Sequence, residues 1–288
     1  MLQFRETRSE YLVRRFHDLA AKALAPSARK FLPQYPRFAV VPGDYLGVCV
    51  NGNGIYERRE IEFLKSLFVK RGLGDSVMLD IGGNIGNHSI ALSGSFAQVI
   101  AFEPNPAMAS LLRTNLLLSN LRNVRVHEVG LGRADAELPF ALEEDHNHGS
   151  GSFASGVGSM TLPVRRGDDF LARKEAELGS GEKRIGFVKC DVEGFEADVF
   201  GGLRETLNRH KPIVFFESND REAGEAAWAE LQAAGYDTLY VMQETGADGN
   251  WVGQELKRAL KGYACWIERT AEVPARRRNL VASFGRLD

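Results

Sequence analysis

The sequence predicts an α/β fold in which a doubly wound, mostly parallel sheet carries helices on its faces. Three observations lead to this prediction. The mostly apolar run Val77–Ile81 contains one acid, Asp80, near its end and then breaks into glycines. A second apolar run, Gln98–Phe102, ends in Glu103, about 20 residues past the first glycine, which is the spacing of a dinucleotide-binding unit. Further apolar runs then alternate with helical patterns, as in successive βαβ units.

The first run is typical of a strand that enters a nucleotide-binding turn. Gly82 and Gly83 allow a tight turn because they carry no Cβ, and Gly86 permits the close approach of another backbone. Asn84 stands where a further glycine is expected. Asparagine is the residue other than glycine that best tolerates a left-handed backbone, so the turn survives the replacement. A glycine-rich turn by itself is weak evidence, since some such turns are ordinary loops.

A helix is predicted after each of the first two strands. The first of these helices should begin at Asn87 and run through Ser93. The amide donors at its start would face a ligand at the turn. After Glu103, Asn105 is a suitable N-cap and Pro106 suits the first helical position. Glu103 itself stands where a doubly wound fold places the acid that accepts hydrogen bonds from ribose hydroxyls.

Composition and charge restrict the class of protein. The 288 residues are 44% hydrophobic and 26% charged, and we predict one domain over 57–288 preceded by an extension over 1–56. A net charge of −2 argues against a general nucleic-acid binder. The three cysteines are widely separated, which fits neither a disulfide framework nor a zinc site and indicates a reducing cytoplasm. No run approaches the roughly 18 apolar residues of a membrane span, and the N-terminus lacks a signal-peptide core.

The extension is predicted to contain an amphipathic helix and a small hairpin. Apolar residues recur at spacings of three and four between Tyr11 and Leu24, with charged residues between them. This stripe needs a partner, either the chain's own core, which we favour, or a second copy in a homodimer. The apolar segment Tyr45–Val50 and the turn over 51–54 suggest the hairpin. Helical spacing returns over 57–70 and leads to the first strand.

The second half of the chain continues the alternation. Strands are predicted over 124–129, 160–164, 185–190, 212–216, 236–242, 263–267 and 279–284, and helices over 167–178 and 226–234. At most one helix separates the last three strands, which suggests an antiparallel edge. Residues 143–160 are small and polar and include His146 and His148. This long loop is either a lid over the site or a loop without function, and we favour the lid.

Acidic residues follow two further strands. Asp191 comes directly after the run 185–190, and Glu193 would project from the same face if the strand persisted. Glu217 closes the next strand. The carboxyl ends of central strands face the ligand crevice in this architecture. The alternative for Asp191 and Glu193 is a structural role, as a cap or as a partner of a lysine. The arginines at 276–278 are interpreted as a solvated turn, with a phosphate or anionic-glycan contact as the alternative.

Five segments together make the pattern specific. They read D-I-G-G-N-I-G-N-H-S, A-F-E-P-N-P, V-G-L-G, N-H-G-S-G-S and V-K-C-D-V-E-G-F-E. In this order and spacing they resemble the FkbM-type methyltransferases, a family of the class I S-adenosylmethionine-dependent group. The resemblance is strong over residues 57–217 and offers nothing for the first 56 residues. It implies a Rossmann-like sheet of seven strands, mostly parallel, with helices on both faces and an antiparallel last strand.

The resemblance also implies a role for each residue that it matches. S-adenosyl-L-methionine would be the cofactor and S-adenosyl-L-homocysteine the product. Glu103 would accept from both ribose hydroxyls, and Asp191, Glu193 and His88 would border the pocket near the reacting methyl. Asn105, Glu128 and Val129 would lie near adenine. The residues implied to bind the cofactor are Asp80, Ile81, Gly82, Gly83, Asn84, Gly86, Glu103, Pro104, Asn105, Glu128, Val129 and Asp191.

The implied reaction is methylation of a hydroxyl on a sugar, a glycan or another small molecule. A sulfonium methyl is already activated, so in-line alignment and exclusion of water should supply most of the rate. A base would take the hydroxyl proton, and the candidates are Asp191, Glu193, His148 and His88. A divalent metal held by Asp191, Glu217 and a histidine could orient a diol. We predict no metal site, because metal ligands cannot be assigned from spacing across separate strands.

Other classes of function remain open. A nicotinamide-dependent oxidoreductase would use the same turn and Glu103, but none of the seven tyrosines has a lysine four residues on, the pair expected of a short-chain dehydrogenase. A non-catalytic subunit could keep the fold and bind a partner through its N-terminal helix. The intact turn and Glu103 argue against it. Methylation of nucleic-acid bases is disfavoured because the segment D-V-E-G replaces the D/N-P-P-aromatic pattern of such enzymes. We therefore expect a small-molecule or carbohydrate acceptor.

Overall fold

A computed structural model of the chain describes residues 8–142, 151–174, 183–245, 260 and 262–287. The described helices are α1 Arg8–Phe31, α2 Tyr45–Asn53, α3 Arg58–Arg71, α4 Asn87–Leu92, α5 Pro106–Leu118, α6 Gly167–Lys174, α7 Glu196–Gly202, α8 Arg204–His210 and α9 Arg221–Ala233. The described strands are β1 Val77–Ile81, β2 Gln98–Phe102, β3 Val124–His127, β4 Gly130–Gly132, β5 Ala136–Leu142, β6 Gly151–Ser152, β7 Met160–Arg166, β8 Ile185–Cys190, β9 Ile213–Asp220, β10 Thr238–Glu244, β11 Cys265–Thr270 and β12 Arg276–Ser283.

Eight of these strands form the main sheet, in the order β11-β10-β12-β9-β8-β1-β2-β3. The pairs from β9 to β3 are all parallel, and β12 runs antiparallel to both β9 and β10. The predicted α/β class and the antiparallel last strand are confirmed. The predicted count of seven strands is wrong by one, because β11 pairs antiparallel with the outer side of β10. The last strand is also internal to the sheet, and β11 forms the antiparallel edge.

Helices cover both faces of the main sheet, as predicted. Alternate residues of β1 belong to different apolar cores, with Leu79 in one and Met78 in the other. The core that contains Leu79 is completed by α7, α8 and α9, and the core that contains Met78 by α3, α4 and α5. All five residues of β1 are buried. A strand that is buried on both faces reads as a continuous apolar run, which is why β1 was visible in the sequence.

A second, four-stranded sheet lies in the order β4-β7-β5-β6. Its core is small and contains the buried side chains of Phe140, Phe153, Leu162 and Val164. Phe195, at the start of α7, packs against this core and connects it to the main sheet.

The N-terminal extension differs from the prediction in two respects. The expected hairpin is the helix α2, and Gly54, at φ +82°, ends this helix as its C-cap instead of forming the tip of a hairpin. A short apolar run suits either structure, so its periodicity could not separate the two. Helix α1 forms as predicted, but Leu12 and Phe16 are 66% and 69% exposed, so the packing on the chain's own core that we favoured is wrong. The boundary at residue 57 stays a prediction.

Two other segments bear on the site. Strand β9 continues to Asp220, so Glu217 lies within it and does not close it. The predicted lid is described only over 151–160, where it begins with β6, and His146 and His148 lie outside the described residues. Across the described residues, no helix has the length and apolarity that a membrane crossing requires.

Candidate active site

A cavity opens at the carboxyl ends of the central strands β1, β2 and β8, where a doubly wound sheet binds its ligand. Its empty volume is about 840 Å³, including the part that is open to solvent. The described residues that line it are Leu46, Tyr56, Glu57, Ile81, Gly82, Gly83, Asn84, Asn87, His88, Phe102, Glu103, Pro104, Gly130, Leu131, Phe140, Gly151, Phe153, Lys189, Asp191, Val192, Glu193 and Phe195.

The glycine turn forms the floor of this cavity. Gly82 has φ +80° and Asn84 has φ +47°, so the predicted left-handed asparagine is confirmed. A Cβ on Gly82 would lie 1.8 Å from the backbone oxygen of Asp191, so no larger residue fits between the turn and the end of β8. The backbone N–H groups of Gly82 and Gly83 both donate to the Phe102 carbonyl at 3.0 Å, which ties the turn to β2.

Glu103 lies at the end of β2 with its carboxyl group held by backbone donors. The N–H of Asn84 donates to its Oε2 and the N–H of Asn105 to its Oε1, both at 2.8 Å. Each oxygen keeps further acceptor capacity toward the cavity. Burial raises the pKa of Glu103 to about 7, and the two backbone hydrogen bonds oppose that shift.

Lys189, which the sequence analysis missed, is the buried cation of the site. Its Nζ donates to the Gly82 carbonyl at 3.0 Å and lies 3.3 Å from Asp191 Oδ2 and 3.7 Å from Asp80 Oδ1. Burial alone would lower the pKa of Lys189, but Asp191 and Asp80 raise it above its ordinary value. The lysine therefore stays charged and joins the glycine turn to the end of β8.

The segment after β8 presents two acidic side chains to the cavity. The strand ends one residue before Asp191, so the predicted common face of a persisting strand is wrong. Glu193 instead adopts a left-handed backbone with φ +52°. The Glu196 carboxylate holds this segment by accepting from the backbone N–H groups of Val192 at 3.1 Å and Gly194 at 3.3 Å. The loop, and not strand alternation, brings both acids to the cavity.

Asp191, Glu193 and Glu217 form an acidic cluster at the edge of the cavity, with carboxylate oxygens within 4.8 Å of one another. The sequence analysis named Asp191, Glu217 and a histidine as the ligands that a divalent metal could use, although it predicted no metal site. Here Glu193 takes the place of the histidine. Two protein cations already compensate this cluster: Lys189 pairs with Asp191, and Arg277 donates to Glu217 from Nε and Nη2 at 2.5 Å and to Glu193 at 3.0 Å. The charge that a divalent ion would supply is thus largely present.

Arg277 also corrects the interpretation of the three arginines as a solvated turn. It lies at the start of β12, directly across from β9, which carries Glu217. Hydrogen bonds to Glu217 raise the pKa of Arg277 above its ordinary value. Its planar guanidinium can bind two carboxylates at once, which a lysine could not do with the same geometry.

The carboxyl group of Glu57, which was not among the predicted site residues, also borders the cavity; Glu57 lies just before α3. Its backbone is left-handed, with φ +52°, and its Oε2 lies 3.4 Å from His88 Nε2. Burial and the nearby carboxylates of Glu60 and Asp191 raise the pKa of Glu57 well above its ordinary value. Burial and Lys189 lower the pKa of His88 to about 4, so this imidazole is neutral at pH 7.

Aromatic side chains that belong to or pack against the core of the small sheet also line the cavity. The rings of Phe140 and Phe153 are 4.9 Å apart in an edge-to-face arrangement, and Phe153 lies 5.5 Å from Phe195. Ring pairs of this kind contribute about 0.5–1.5 kcal/mol beyond their buried area. The three packed rings therefore form one apolar side of the cavity, the aromatic wall.

The structure brings most of the predicted site residues to this cavity. Those that line it are Ile81, Gly82, Gly83, Asn84, His88, Glu103, Pro104, Asp191 and Glu193. They come from the end of β1, the glycine turn and the start of α4, and from the ends of β2 and β8. Their roles toward a cofactor remain predictions.

Five predicted residues lie outside the described lining. Asp80 is fully buried behind the turn and accepts from the Ser89 hydroxyl. Asn105 is the N-cap of α5, which the sequence also predicted. Gly86 precedes α4, Val129 is part of the main apolar core, and Glu128 pairs with Arg113 at the surface at 2.8 Å.

Lys189, Glu57 and the aromatic wall were not found from the sequence. Lys189 occurs inside the quoted segment V-K-C-D-V-E-G-F-E, but a lysine within an apolar run is usually assigned to a solvated end. Glu57 was assigned only to the start of a helix. A signal for Lys189 is a charged residue inside a buried strand that already leads to the site, whereas no local pattern distinguishes Glu57.

A family model described as the methyltransferase FkbM domain matches residues 80–238 of the chain. The match includes the glycine turn, Glu103, Lys189 and the acids that follow β8. It ends before β11 and β12.

Three relatives with known names each match about half of the chain. "Methyltransferase 1" of Beauveria bassiana is 31% identical over an alignment of 173 residues that covers 50% of this chain and 68% of that protein. "2-O-methyltransferase NoeI" of Sinorhizobium fredii is 28% identical over 51% of this chain and 65% of its own length. "Hexuronic acid methyltransferase AglP" of Haloferax volcanii is 30% identical over 49% of this chain and 55% of its own length.

Solved structures with similar folds include a precorrin-6y C5,15-methyltransferase from Geobacter metallireducens, at 15% identity and a TM-score of 0.46, covering 86% of this chain and 93% of that one. The methyltransferase FkbM from Methylobacillus flagellatus is 18% identical with a TM-score of 0.41, covering 77% of this chain and 56% of that one.

Proposed function

The chain belongs to the FkbM methyltransferase family, and on this premise we propose that it transfers the methyl group of S-adenosyl-L-methionine to a hydroxyl group of a sugar, a glycan or another small molecule. The observation that carries the proposal is the buried Glu103 carboxyl, which two backbone N–H groups hold at the edge of a glycine-floored cavity. A carboxylate placed in this way suits a ribose diol.

The charges of the described lining fit this cofactor. Four carboxyl groups line the cavity, from Glu57, Glu103, Asp191 and Glu193, whereas Lys189 is the cation among the described lining residues. S-adenosyl-L-methionine carries a sulfonium and an ammonium against one carboxylate, so its net charge is positive. A nicotinamide dinucleotide would instead bring two negative phosphates toward these acids. The electrostatics therefore favour the sulfonium cofactor over the oxidoreductase alternative.

The residues around the cavity divide into two ends. Glu103 and the glycine turn would hold the ribose side of the cofactor, while His88, Glu57 and Asp191 would border the reacting end. When bound, the cofactor supplies a methyl group that is already activated as part of a sulfonium. The protein then has to align the acceptor and exclude water, and the aromatic wall suits the second task.

The proton of the acceptor hydroxyl needs a base, and we infer that Glu57 serves better than the predicted candidates. Burial alone would raise the pKa of Asp191, but the Lys189 ammonium holds it below its usual range, which makes Asp191 a weak base. Glu193 is bound by Arg277. Glu57 has the raised pKa of a stronger base and contacts the neutral His88. His148 lies outside the described residues and stays a prediction.

The choice of a hydroxylated acceptor rests on the relatives and on charge. One of the relatives is named a 2-O-methyltransferase and another is named a hexuronic acid methyltransferase. Lys189 and Arg277 compensate only two of the three carboxylates of Asp191, Glu193 and Glu217, so the edge of the cavity keeps an acidic excess that disfavours an anionic acceptor. For this chain we therefore favour a neutral or amino sugar over an acidic one.

The experiment is a thermal-shift comparison of S-adenosyl-L-methionine, S-adenosyl-L-homocysteine, NAD and NADH. At about 100 times its dissociation constant a true ligand adds roughly 2.7 kcal/mol of stability. We expect stabilisation by the two sulfur compounds alone. Glu103→Ala should weaken their binding by at least about 1 kcal/mol, the typical net contribution of one hydrogen bond.

Glu62→Ala is the matched control, because Glu62 lies outside the described lining, on the exposed side of α3, and pairs with Lys65. It should leave the binding of S-adenosyl-L-homocysteine unchanged. Stabilisation by NADH, or by none of the four compounds, would overturn the proposal. Methyl transfer from labelled cofactor to a panel of neutral, amino and acidic sugars then separates the acceptor classes.

A further inference from the structure

Helix α1 carries an apolar face that no described part of the chain covers. Leu12, Phe16 and Leu19 are 66%, 69% and 56% exposed. With Ala23 they recur at spacings of four, three and four, so they lie along one side of the helix. Val13 is 59% exposed and widens the same face. A contiguous exposed apolar patch of this kind marks an interaction surface.

Basic residues follow the edge of this face. Arg8, Arg15 and Lys22 are seven residues apart, which is close to two full turns, so they form a row along the helix. Leu12 and Leu19 each lie four residues after a member of this row and are therefore its neighbours. The whole of α1 holds six lysines and arginines against two acidic residues, although the complete chain carries a net charge of −2. Positive charge is thus concentrated beside the exposed apolar row.

A second copy of the chain fits this face poorly. The apolar row has the spacing of a coiled-coil seam, but it covers only two heptads, and Pro26 takes the next seam position. A stable coiled coil needs about three to four heptads. Pairing two such helices would also bring two sets of excess positive charge together, which costs free energy.

We propose that α1 is an interfacial helix that docks the protein on the surface of an anionic lipid bilayer. An amphipathic helix with a basic edge lies in the plane of the membrane, with its apolar face among the headgroups and the upper acyl chains. Leu12, Phe16 and Leu19 would insert, and Arg8, Arg15 and Lys22 would lie at the level of the lipid phosphates. This arrangement does not require a membrane crossing, and it is independent of the reaction that the cavity carries out.

The experiment is co-sedimentation of the full chain with lipid vesicles at low salt. One vesicle preparation is pure phosphatidylcholine, and in the other about one lipid in four is phosphatidylglycerol, because anionic lipids set the negative surface potential. We expect binding to the anionic vesicles, weak or no binding to the neutral ones, and loss of binding as salt increases. Equal binding to both preparations, or binding to neither, would overturn the proposal.

Variants separate the two components of docking. Leu12→Asp with Phe16→Asp should weaken binding at least about tenfold, since it places two charges in the apolar face. Arg15→Gln with Lys22→Gln should weaken it about 25-fold, a factor of about five for each basic residue near the surface. The matched controls are Val69→Asp on α3 and Leu117→Asp on α5, which change apolar side chains that are 82% and 81% exposed elsewhere. These controls should bind like the wild type.

Two further measurements distinguish the alternatives. Light scattering in the absence of lipid gives the oligomeric state, and a dimer that Leu12→Asp with Phe16→Asp converts to monomers would overturn the proposal in favour of a second copy. The binding of S-adenosyl-L-homocysteine by the same variant should match that of the wild type. This readout keeps the failure of membrane docking separate from any failure of the proposed function.

Discussion

Glu57 has a backbone conformation that glutamate rarely adopts. Its φ of +52° is in the left-handed region, and Asn84 and Glu193 around the same cavity share that region with φ of +47° and +52°. Each such residue costs of order 1–3 kcal/mol, and residues of this kind persist where the surrounding structure holds them, often at functional sites. In this backbone conformation the Glu57 carboxyl contacts His88 and lines the cavity.

The first prediction concerns Glu57 as the base. A carboxyl group accepts a proton only when it is ionised, so kcat should fall as pH drops below the raised pKa of Glu57. Glu57→Gln should lower kcat at least about 100-fold and remove this acidic limb from the pH profile, measured as methyl transfer to a sugar acceptor. Glu62→Gln on the exposed face of α3 is the control and should leave both unchanged. Retention of the acidic limb in Glu57→Gln would exclude this role.

At the scale of elements, the site depends on the contact between the glycine turn and the end of β8. The backbone of Asp191 approaches Gly82 so closely that a Cβ there would lie 1.8 Å from its carbonyl oxygen. Lys189 supports the same contact by donating to the Gly82 carbonyl. Two neighbouring parallel strands thus place the turn and the acidic segment side by side.

The second prediction compares two left-handed glycines. Gly82 and Gly72 have φ of +80° and +63°, but a Cβ on Gly72 would meet nothing within 4 Å. Both alanine variants lose about 1–2 kcal/mol because alanine disfavours this conformation. Gly82→Ala should lose at least about 2 kcal/mol more, since the overlap with Asp191 forces the backbone to move. Urea unfolding of the two variants measures the difference, and equal losses would contradict the tight contact.

At the scale of the whole molecule, several carboxyl groups with raised pKa values make the free energy of unfolding depend on pH. Burial raises the pKa values of Glu60, Glu103 and Glu196 to about 7, from an ordinary value near 4.5. The folded state therefore binds more protons than the unfolded state between these values, and stability falls as pH rises through that window. His88 acts in the opposite direction because its pKa is lowered to about 4, but it is a single group.

The third prediction follows from this balance. The free energy of unfolding of the ligand-free protein should be higher at pH 5 than at pH 7.5 by at least about 1 kcal/mol, as urea unfolding at the two values would measure. Glu103→Gln should reduce the difference because it removes one of the three groups. The exposed Glu62→Gln should not. If the protein were instead most stable near pH 7.5, the prediction would be wrong. That result would show that hydrogen bonds and cations keep these carboxyl groups ionised in the folded state.

Much of the fold and part of the site could be read from the sequence, because both depend on local patterns. The glycine turn, Glu103 at the end of β2 and Asp191 at the end of β8 each follow a buried strand directly. Strands that are buried on both faces read as continuous apolar runs, and parallel strands bring their carboxyl ends to one edge. The order of strands along the chain was therefore enough to place these residues together.

The tertiary structure alone decided the residues that complete the site. Glu57 reaches His88 across 31 residues, Lys189 reaches Gly82 across 107, and Arg277 contacts Glu193 and Glu217 from the last strand. It also decided that β11 adds an eighth strand, that residues 45–53 form a helix, and that the apolar row of α1 faces outward. Each of these depends on which distant segments pack together, and neither periodicity nor spacing within one segment carries that information.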